Sequence, residues 1–185
     1  PAYLVDKGLP RQTDKQKHHK AMPYDDVPAF VQGLNDDTFN DVKAALEFTI
    51  LTAARTGEVI HATFEEFDLD EKVWTVPADR MKANVEHRVP LVDRCVAIIE
   101  QAKAQNQTGF VFRGKRIGKP LGNVSMLNHV QRAELPLTVH GFRSSFRDWA
   151  ADFTSFSREV CEAALAHTLQ DKTEAAYRRT DLFDR

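Results

Sequence analysis

The chain has 185 residues, of which 42% are hydrophobic and 28% are charged, as is typical of a soluble globular domain with a buried core. No apolar run reaches the roughly 18 residues that a membrane-spanning helix needs, and no segment resembles a secretory signal, so we expect a cytoplasmic protein without a membrane partner. The net charge of −2 does not indicate a nucleic-acid-binding protein, although such an average is compatible with a basic face opposite an acidic one.

The first 22 residues are polar and basic, with lysines, an arginine and two adjacent histidines crowded between Arg11 and Lys20. This composition predicts a linker or arm over residues 1–22 rather than part of a core. The chain begins with Pro1 and not with Met, so we expect a processed chain or a piece of a longer protein.

The segment from Pro23 to Leu91 changes from helical to extended patterning. Apolar residues recur at helical spacing from Thr38 to Ile60, and residues 55–58 interrupt that pattern before a short helix. Between residues 66 and 91, β-branched and aromatic residues then predict two or three short strands of an antiparallel sheet.

The second half of the chain returns to helical patterning. Residues 93–105 predict a helix, and residues 113–119 form a basic, glycine-punctuated loop. After Leu121 four helical pieces follow, over roughly residues 122–134, 139–152, 157–166 and 171–180. The sequence therefore predicts an α+β fold, mostly helical, with a small antiparallel sheet.

Individual residues in this half carry further predictions. Thr138 and Ser157 suit the N-caps of two helices. Cys95 and Cys161 match no metal-site spacing and are predicted to be buried thiols. Four aromatic residues at helical spacing are predicted to lie in the core: Phe142, Phe146, Trp149 and Phe153.

Six residues spread along the chain have the chemistry that exchange of a phosphodiester without a metal requires. Arginines hold a phosphate in paired hydrogen bonds and stabilise the charge of its transition state. A lysine or histidine supplies a proton to the leaving oxygen, and a tyrosine supplies a nucleophile that forms a covalent ester. The six residues are Arg55, Lys82, His140, Arg143, His167 and Tyr177.

The order and local contexts of these residues resemble the catalytic domain of tyrosine recombinases, the phage-integrase family. Residues 140–143 read His-Gly-Phe-Arg and are similar to the family's H-x-L-R box, with phenylalanine in place of leucine. Residues 52–58 are similar to its T-G-x-R-x-G-E segment, and Val89-Pro90-Leu91 is similar to the strand that follows its mobile lysine. Ala53 and Ala166 stand where the family usually has glycine. With residues 144–150 that follow it, the box closely resembles that of integrases from prophages and genomic islands.

The resemblance implies a role for each of the six residues. Arg55 and Arg143 would bind the phosphate together with His140 and His167, and Lys82 would be the catalytic lysine, with Arg80 as its competitor. Tyr177 would be the nucleophile. His167 also suits a helix C-cap, and both roles remain open. DNA contacts are expected from four further positions: Arg80, Lys115, Arg116 and Arg178.

The implied function is that of a site-specific DNA recombinase, or integrase. It would cleave and rejoin DNA strands through a 3′-phosphotyrosine intermediate, without metal or cofactor, for integration or excision of a prophage or genomic island. Residues 23–185 would be the catalytic domain, with N-terminal DNA-binding domains absent and the C-terminal tail truncated. The partner would be double-stranded DNA at attachment sites; the full-length protein would act as a homo-tetramer, and the fragment would be monomeric.

Two other functions remain open from the sequence. One is a catalytically inactive DNA-binding remnant of a prophage integrase. The other is a DNA-relaxing enzyme like the type IB topoisomerases, which share this phosphate chemistry.

Overall fold

The computed structural model describes residues 20–34, 38–106, 109–167 and 182–183. These residues form a mostly helical α+β domain with one small antiparallel sheet, so the predicted fold class is confirmed. The predicted arm lies almost entirely outside the described residues, as do the predicted helix over residues 171–180, Tyr177 and Arg178.

Seven α-helices lie within the described part of the chain, four before the basic loop and three after it. Their bounds are α1 Val27–Gln32, α2 Asp41–Thr52, α3 Thr56–Ile60, α4 Asp93–Gln105, α5 Ser125–Arg132, α6 Gly141–Phe153 and α7 Arg158–Ala164. None of the helices in these ranges is long and apolar enough to cross a membrane.

Helix α2 is the central helix of the core. Asn40 caps its start, because the side-chain oxygen accepts hydrogen bonds from the backbone N–H groups of Val42 and Lys43 at 3.0 and 3.1 Å. Leu46 and Phe48 of this helix are fully buried. The helix ends at Ala53, whose φ of 49° is left-handed. This turn divides the single apolar pattern of the sequence into α2 and α3.

The three strands pair in the order β1-β2-β3, with β1 at Phe67–Asp68, β2 at Val73–Val76 and β3 at His87–Pro90. Trp74 lies opposite Val89 and is fully buried against Phe48, with ring centroids 5.4 Å apart. The sheet therefore covers one side of α2, and its last strand begins beside the site described below.

The four aromatic residues of α6 do not all enter the core. Phe142 is 4% exposed and stacks on Phe30, but Trp149 and Phe153 are 43% and 67% exposed, so their predicted burial was wrong. The described elements cover only one face of α6, and Phe153 meets just the edge of the Tyr24 ring. Helical spacing had indicated a wider apolar stripe than these neighbours cover.

Both cysteines are free and buried, as predicted. Burial raises the pKa of the Cys95 thiol to about 12, so this thiol stays protonated at neutral pH.

Candidate active site

The turn between α2 and α3 fixes the position of Arg55. Glu58 is buried, and its two carboxylate oxygens accept hydrogen bonds from the Arg55 backbone N–H at 2.9 Å and from Arg55 Nη1 at 2.7 Å. The second terminal nitrogen of Arg55 then points away from Glu58, toward the end of α7. Glu58 therefore orients Arg55 and leaves part of the guanidinium available for other partners.

Close packing against residues 20–22 fixes the start of α6. Gly141 lies so near the backbone of Lys20 that a Cβ at this position would be 2.2 Å from the Lys20 carbonyl oxygen. The hydroxyl of Ser145 donates to the Met22 carbonyl, and the Gly141 N–H donates to the Thr138 hydroxyl at 3.0 Å. Thr138 therefore caps the turn before α6, while His140 occupies the N-cap position itself. Ser157 is the N-cap residue of α7, as predicted, although its side chain makes no capping hydrogen bond.

Arg143 is a buried cation, with 5% of its surface exposed. Its terminal nitrogens donate to the carbonyl oxygens of Ala53 and Leu165, and Nη2 also lies 3.1 Å from His167 Nε2. Within the described residues Nε has no hydrogen-bond partner, and no carboxylate forms an ion pair with this side chain. The pKa of Arg143 is lowered to about 10: burial is the largest cause, the nearby charge of Arg55 adds to it, and the Glu58 carboxylate opposes both.

The end of α7 meets both arginines. Ala166 has a left-handed φ of 48°, which turns the last carbonyl groups of the helix toward the arginines. Arg55 Nη2 donates to the Ala166 carbonyl at 3.0 Å and approaches that of Leu165 at 3.4 Å, the same carbonyl that Arg143 contacts. Carbonyl oxygens satisfy the donors but carry no net charge, so they give neither arginine a counter-ion. Arg55 is paired with the Glu58 carboxylate, whereas Arg143 has no carboxylate partner among the described residues.

A cavity of about 420 Å³ opens beside these groups. Four side chains of its lining can donate hydrogen bonds and carry, or can acquire, positive charge: His140, Arg143, Arg147 and His167. Asp148 also lines the cavity. The structure thus brings Arg55, His140, Arg143 and His167 to one place from three separate parts of the chain. Fixed donors around a cavity of this size suit an oxyanion such as a phosphate diester.

Lys82 and Arg80 lie in the connection between β2 and β3, away from that cavity. Lys82 is exposed. Arg80, in contrast, is bound within the domain: it donates to the Glu58 carbonyl at 3.0 Å and forms an ion pair with Glu66, which also accepts from Trp74 Nε1 at 2.9 Å. Arg80 therefore attaches the loop of Lys82 to the turn that holds Arg55.

The basic loop presents Lys115 and Arg116 to solvent. Its base is closed by a bridge between Arg113 and Pro120, and Gly114 is required there because a Cβ would lie 2.2 Å from the Pro120 carbonyl oxygen. The DNA contacts expected of Lys115 and Arg116 remain predictions. Tyr177 and Arg178 fall outside the described residues.

Sequence reasoning missed two residues at this site, Glu162 and His87. Glu162 contacts both Arg147 and His167, at 2.9 and 2.6 Å. His87, at the start of β3, is partly buried beside the arginines: burial lowers its pKa, the Glu58 carboxylate opposes that change, and the charge of Arg55 adds to it. The available signal for Glu162 was a carboxylate immediately before the apolar run that His167 closes, and the Val89-Pro90-Leu91 landmark was the signal for His87.

Comparison with known proteins agrees with the fold and with the sequence motifs. The model of the phage integrase family matches residues 20–182. Prophage integrase IntA of Escherichia coli K12 is 28% identical over 97% of this chain, and prophage integrase IntZ of the same strain is 31% identical over 81%. The chain spans 45% of the length of IntA and 38% of that of IntZ.

Solved structures share the architecture. The integrase of mycobacterium phage Brujita superposes with a TM-score of 0.67 at 21% identity, covering 98% of this chain and 64% of that one. A lambda integrase tetramer bound to a Holliday junction gives a TM-score of 0.64 at 14% identity, covering 92% and 56%.

The fold is thus that of integrase catalytic domains, with a basic cavity between α6 and the end of α7. The chain belongs to the phage integrase family of tyrosine recombinases.

Proposed function

We propose that this chain is the catalytic domain of a site-specific DNA recombinase that cleaves and rejoins strands through a 3′-phosphotyrosine intermediate. Residues 1–22 would be an arm that leads into the domain at residues 23–185, within a longer protein. The observation that carries the proposal is Arg143, a buried cation without a carboxylate partner among the described residues, on the wall of a basic cavity.

The electrostatics of Arg143 favour an anionic ligand. A buried charge is costly unless an opposite charge compensates it. Glu58 is committed to Arg55, and Glu162 to Arg147 and His167, so neither carboxylate neutralises Arg143 directly. A phosphate diester bound between Arg143, Arg55 and His167 would provide the missing negative charge, and the five-coordinate transition state would provide more.

The remaining catalytic roles fall to side chains that close on the phosphate. Lys82 stands on an exposed loop and would reach the leaving 5′ oxygen when DNA is bound, donating its proton there. Tyr177 would attack the phosphorus atom through its phenol oxygen, with His140 as the proton acceptor, and the 3′-phosphate would become esterified to the tyrosine. No step in this exchange calls for a metal or cofactor.

Double-stranded DNA is the proposed partner. The lambda integrase that this fold resembles was solved as a tetramer on a Holliday junction, and we extend DNA binding and tetramer formation to the full-length form of this protein. Lys115 and Arg116 would contact the DNA backbone from the basic loop, and Arg178 from beside the nucleophile. Arg80 could contact DNA only if its ion pair with Glu66 were broken. Its bonds in the structure therefore favour a role in holding the loop that carries Lys82.

The test is covalent trapping on DNA. The full-length protein is incubated with attachment-site DNA that is nicked next to the scissile phosphate, and adducts are resolved on a denaturing gel. We expect a 3′-phosphotyrosine adduct for wild type and none for Tyr177→Phe, which removes one oxygen and leaves the cations intact. Tyr24→Phe is the matched control, since Tyr24 donates to Asp152 at 3.0 Å instead. An adduct formed by Tyr177→Phe contradicts the proposal.

A further inference from the structure

The contacts of His167 define which of its ring nitrogens carries the proton. Nε2 lies 3.1 Å from Arg143 Nη2, and Nδ1 lies 2.6 Å from Glu162 Oε2. A guanidinium only donates hydrogen bonds, so Nε2 must be the acceptor in the first contact. Nδ1 therefore carries the hydrogen and donates it to Glu162. In the structure the Nε2 lone pair of His167 is thus occupied by the hydrogen bond from Arg143.

Glu162 is held as a carboxylate by neighbours on two helices. Arg147 Nε of α6 donates to Oε1 at 2.9 Å, and Arg158 of α7 lies 3.9 Å from the same oxygen. Burial raises the pKa of Glu162, but the hydrogen bonds from His167 and Arg147 lower it by more, so the net change is downward. The carboxylate is thus ionised at neutral pH and favours a positive charge on the adjoining imidazole.

A phosphate oxygen at Nε2 would require this nitrogen to donate a hydrogen bond, whereas Arg143 requires it to accept one. Phosphate oxygens accept hydrogen bonds, so His167 can bind one only if Nε2 carries a hydrogen. Nδ1 keeps its own hydrogen for Glu162, and the ring must then gain one proton from solution and become an imidazolium. The bound anion and Glu162 favour this change, while the neighbouring cations oppose it. The charged and titratable groups around the ring are Arg55, His140, Arg143, Arg147, Asp148 and Glu162.

We propose that Glu162 is a positioning residue that holds His167 with Nδ1 protonated and makes phosphate binding take up one proton at Nε2. This inference rests on the proposed function, because it assigns the cavity to a phosphate. His167 would then change from an acceptor of Arg143 to a cationic donor to the ligand, so it would add a third positive charge at the moment of binding. The same step breaks the hydrogen bond from Arg143 to His167, so Arg143 can donate a hydrogen bond to the phosphate instead.

The experiment uses sulfate as the probe, since this dianion does not titrate between pH 6 and 8.5. Sulfate binding to the purified chain is measured by calorimetry in buffers of different ionisation enthalpy, which gives the number of protons taken up. Long-range proton–nitrogen NMR of the histidine rings reports the tautomer of His167 with and without sulfate. For wild type we expect the Nδ1–H tautomer without ligand, net proton uptake near pH 8, and sulfate affinity that falls as pH rises toward 8.5, by up to about tenfold per pH unit for one proton taken up.

Glu162→Gln should still bind sulfate, but with proton uptake lost and with both tautomers populated, because an amide can donate to Nδ1 as well as accept from it. Glu159→Gln is the control, since it removes the same charge from the same helix and should behave as wild type. The wild-type measurements decide the inference even where Glu162→Gln does not fold.

Three outcomes separate the inference from the proposed function. Sulfate binding by wild type without proton uptake, or an Nε2–H tautomer in the free protein, overturns the inference alone. Proton uptake that persists in Glu162→Gln overturns the role of Glu162. If neither the wild type nor the variants bind sulfate, the cavity is not a phosphate site, and both the inference and the proposed function lose their basis.

Discussion

Substitution of methionine for Arg143 separates the function of this side chain from its contribution to folding. Methionine has a similar length and no charge, so the variant removes the buried cation and leaves the packing largely filled. Burial, together with the nearby charge of Arg55, lowers the pKa of Arg143 from its ordinary value to about 10. At about 1.4 kcal/mol per pH unit, that fall corresponds to a cost of roughly 3 kcal/mol for keeping the cation folded.

The same substitution leaves two buried carbonyl groups without their donor. Arg143 donates to Ala53 and Leu165, and each unsatisfied carbonyl costs about 1–3 kcal/mol. The two effects oppose each other, so the free energy of unfolding should change by less than about 3 kcal/mol in either direction. Activity should instead fall by several powers of ten, because a transition-state cation is lost.

The assay is urea denaturation with and without sulfate, followed by adduct formation on nicked DNA with the full-length protein. Sulfate at 100 times its Kd should stabilise the wild type by about 2.7 kcal/mol and should hardly stabilise Arg143→Met. Arg132→Met, on the exposed side of α5, is the control and should respond to sulfate as wild type does. Equal stabilisation of Arg143→Met and wild type by sulfate would refute the assignment of the anion to this cavity.

Two further predictions follow from the backbone and from β3. Ala53 has a left-handed φ of 49°, which costs a non-glycine residue about 1–2 kcal/mol. Ala53→Gly should therefore raise the free energy of unfolding by roughly 0.5–1 kcal/mol after the entropy of glycine is subtracted. Ala54→Gly is the control and should lower the free energy of unfolding; a change of the same sign for both variants in urea denaturation would contradict this prediction. The pKa of His87 lies below 6.5 because of burial, so the folded state binds fewer protons than the unfolded chain and stability is lost as pH falls from 6.5 toward the lower folded value. His87→Asn should therefore lose less stability than wild type between pH 7 and pH 5, and parallel losses would show that His87 does not titrate in this way.

The spacing of apolar residues along the chain was enough to predict much of the fold. The predicted helix over residues 93–105 matches α4, and the predicted sheet between residues 66 and 91 contains all three strands of the described domain. These elements are local, since each buries an apolar face that repeats at its own period. The six candidate residues were likewise found from short motifs; the structure brings three of them to the wall of one cavity, and Arg55 lies beside it, bound to the Ala166 carbonyl.

What the sequence left open depended on neighbours far along the chain. Arg80 reads as an exposed loop cation, but folding places Glu66 and the Glu58 carbonyl against it. Trp149 and Phe153 share the helical spacing of Phe142, yet of these three only Phe142 is buried, against Phe30; Phe153 contacts Tyr24 and stays exposed.

The sequence by itself therefore determined the elements, their order and the residue types of the site. Only the tertiary structure decided which carbonyl groups and carboxylates surround each cation. Arg143 meets the Ala53 carbonyl 90 residues before it, and Arg55 meets the Ala166 carbonyl 111 residues after it. Such contacts have no local pattern, because they form when distant segments close around a common core, and the charge balance of the cavity follows from that closure.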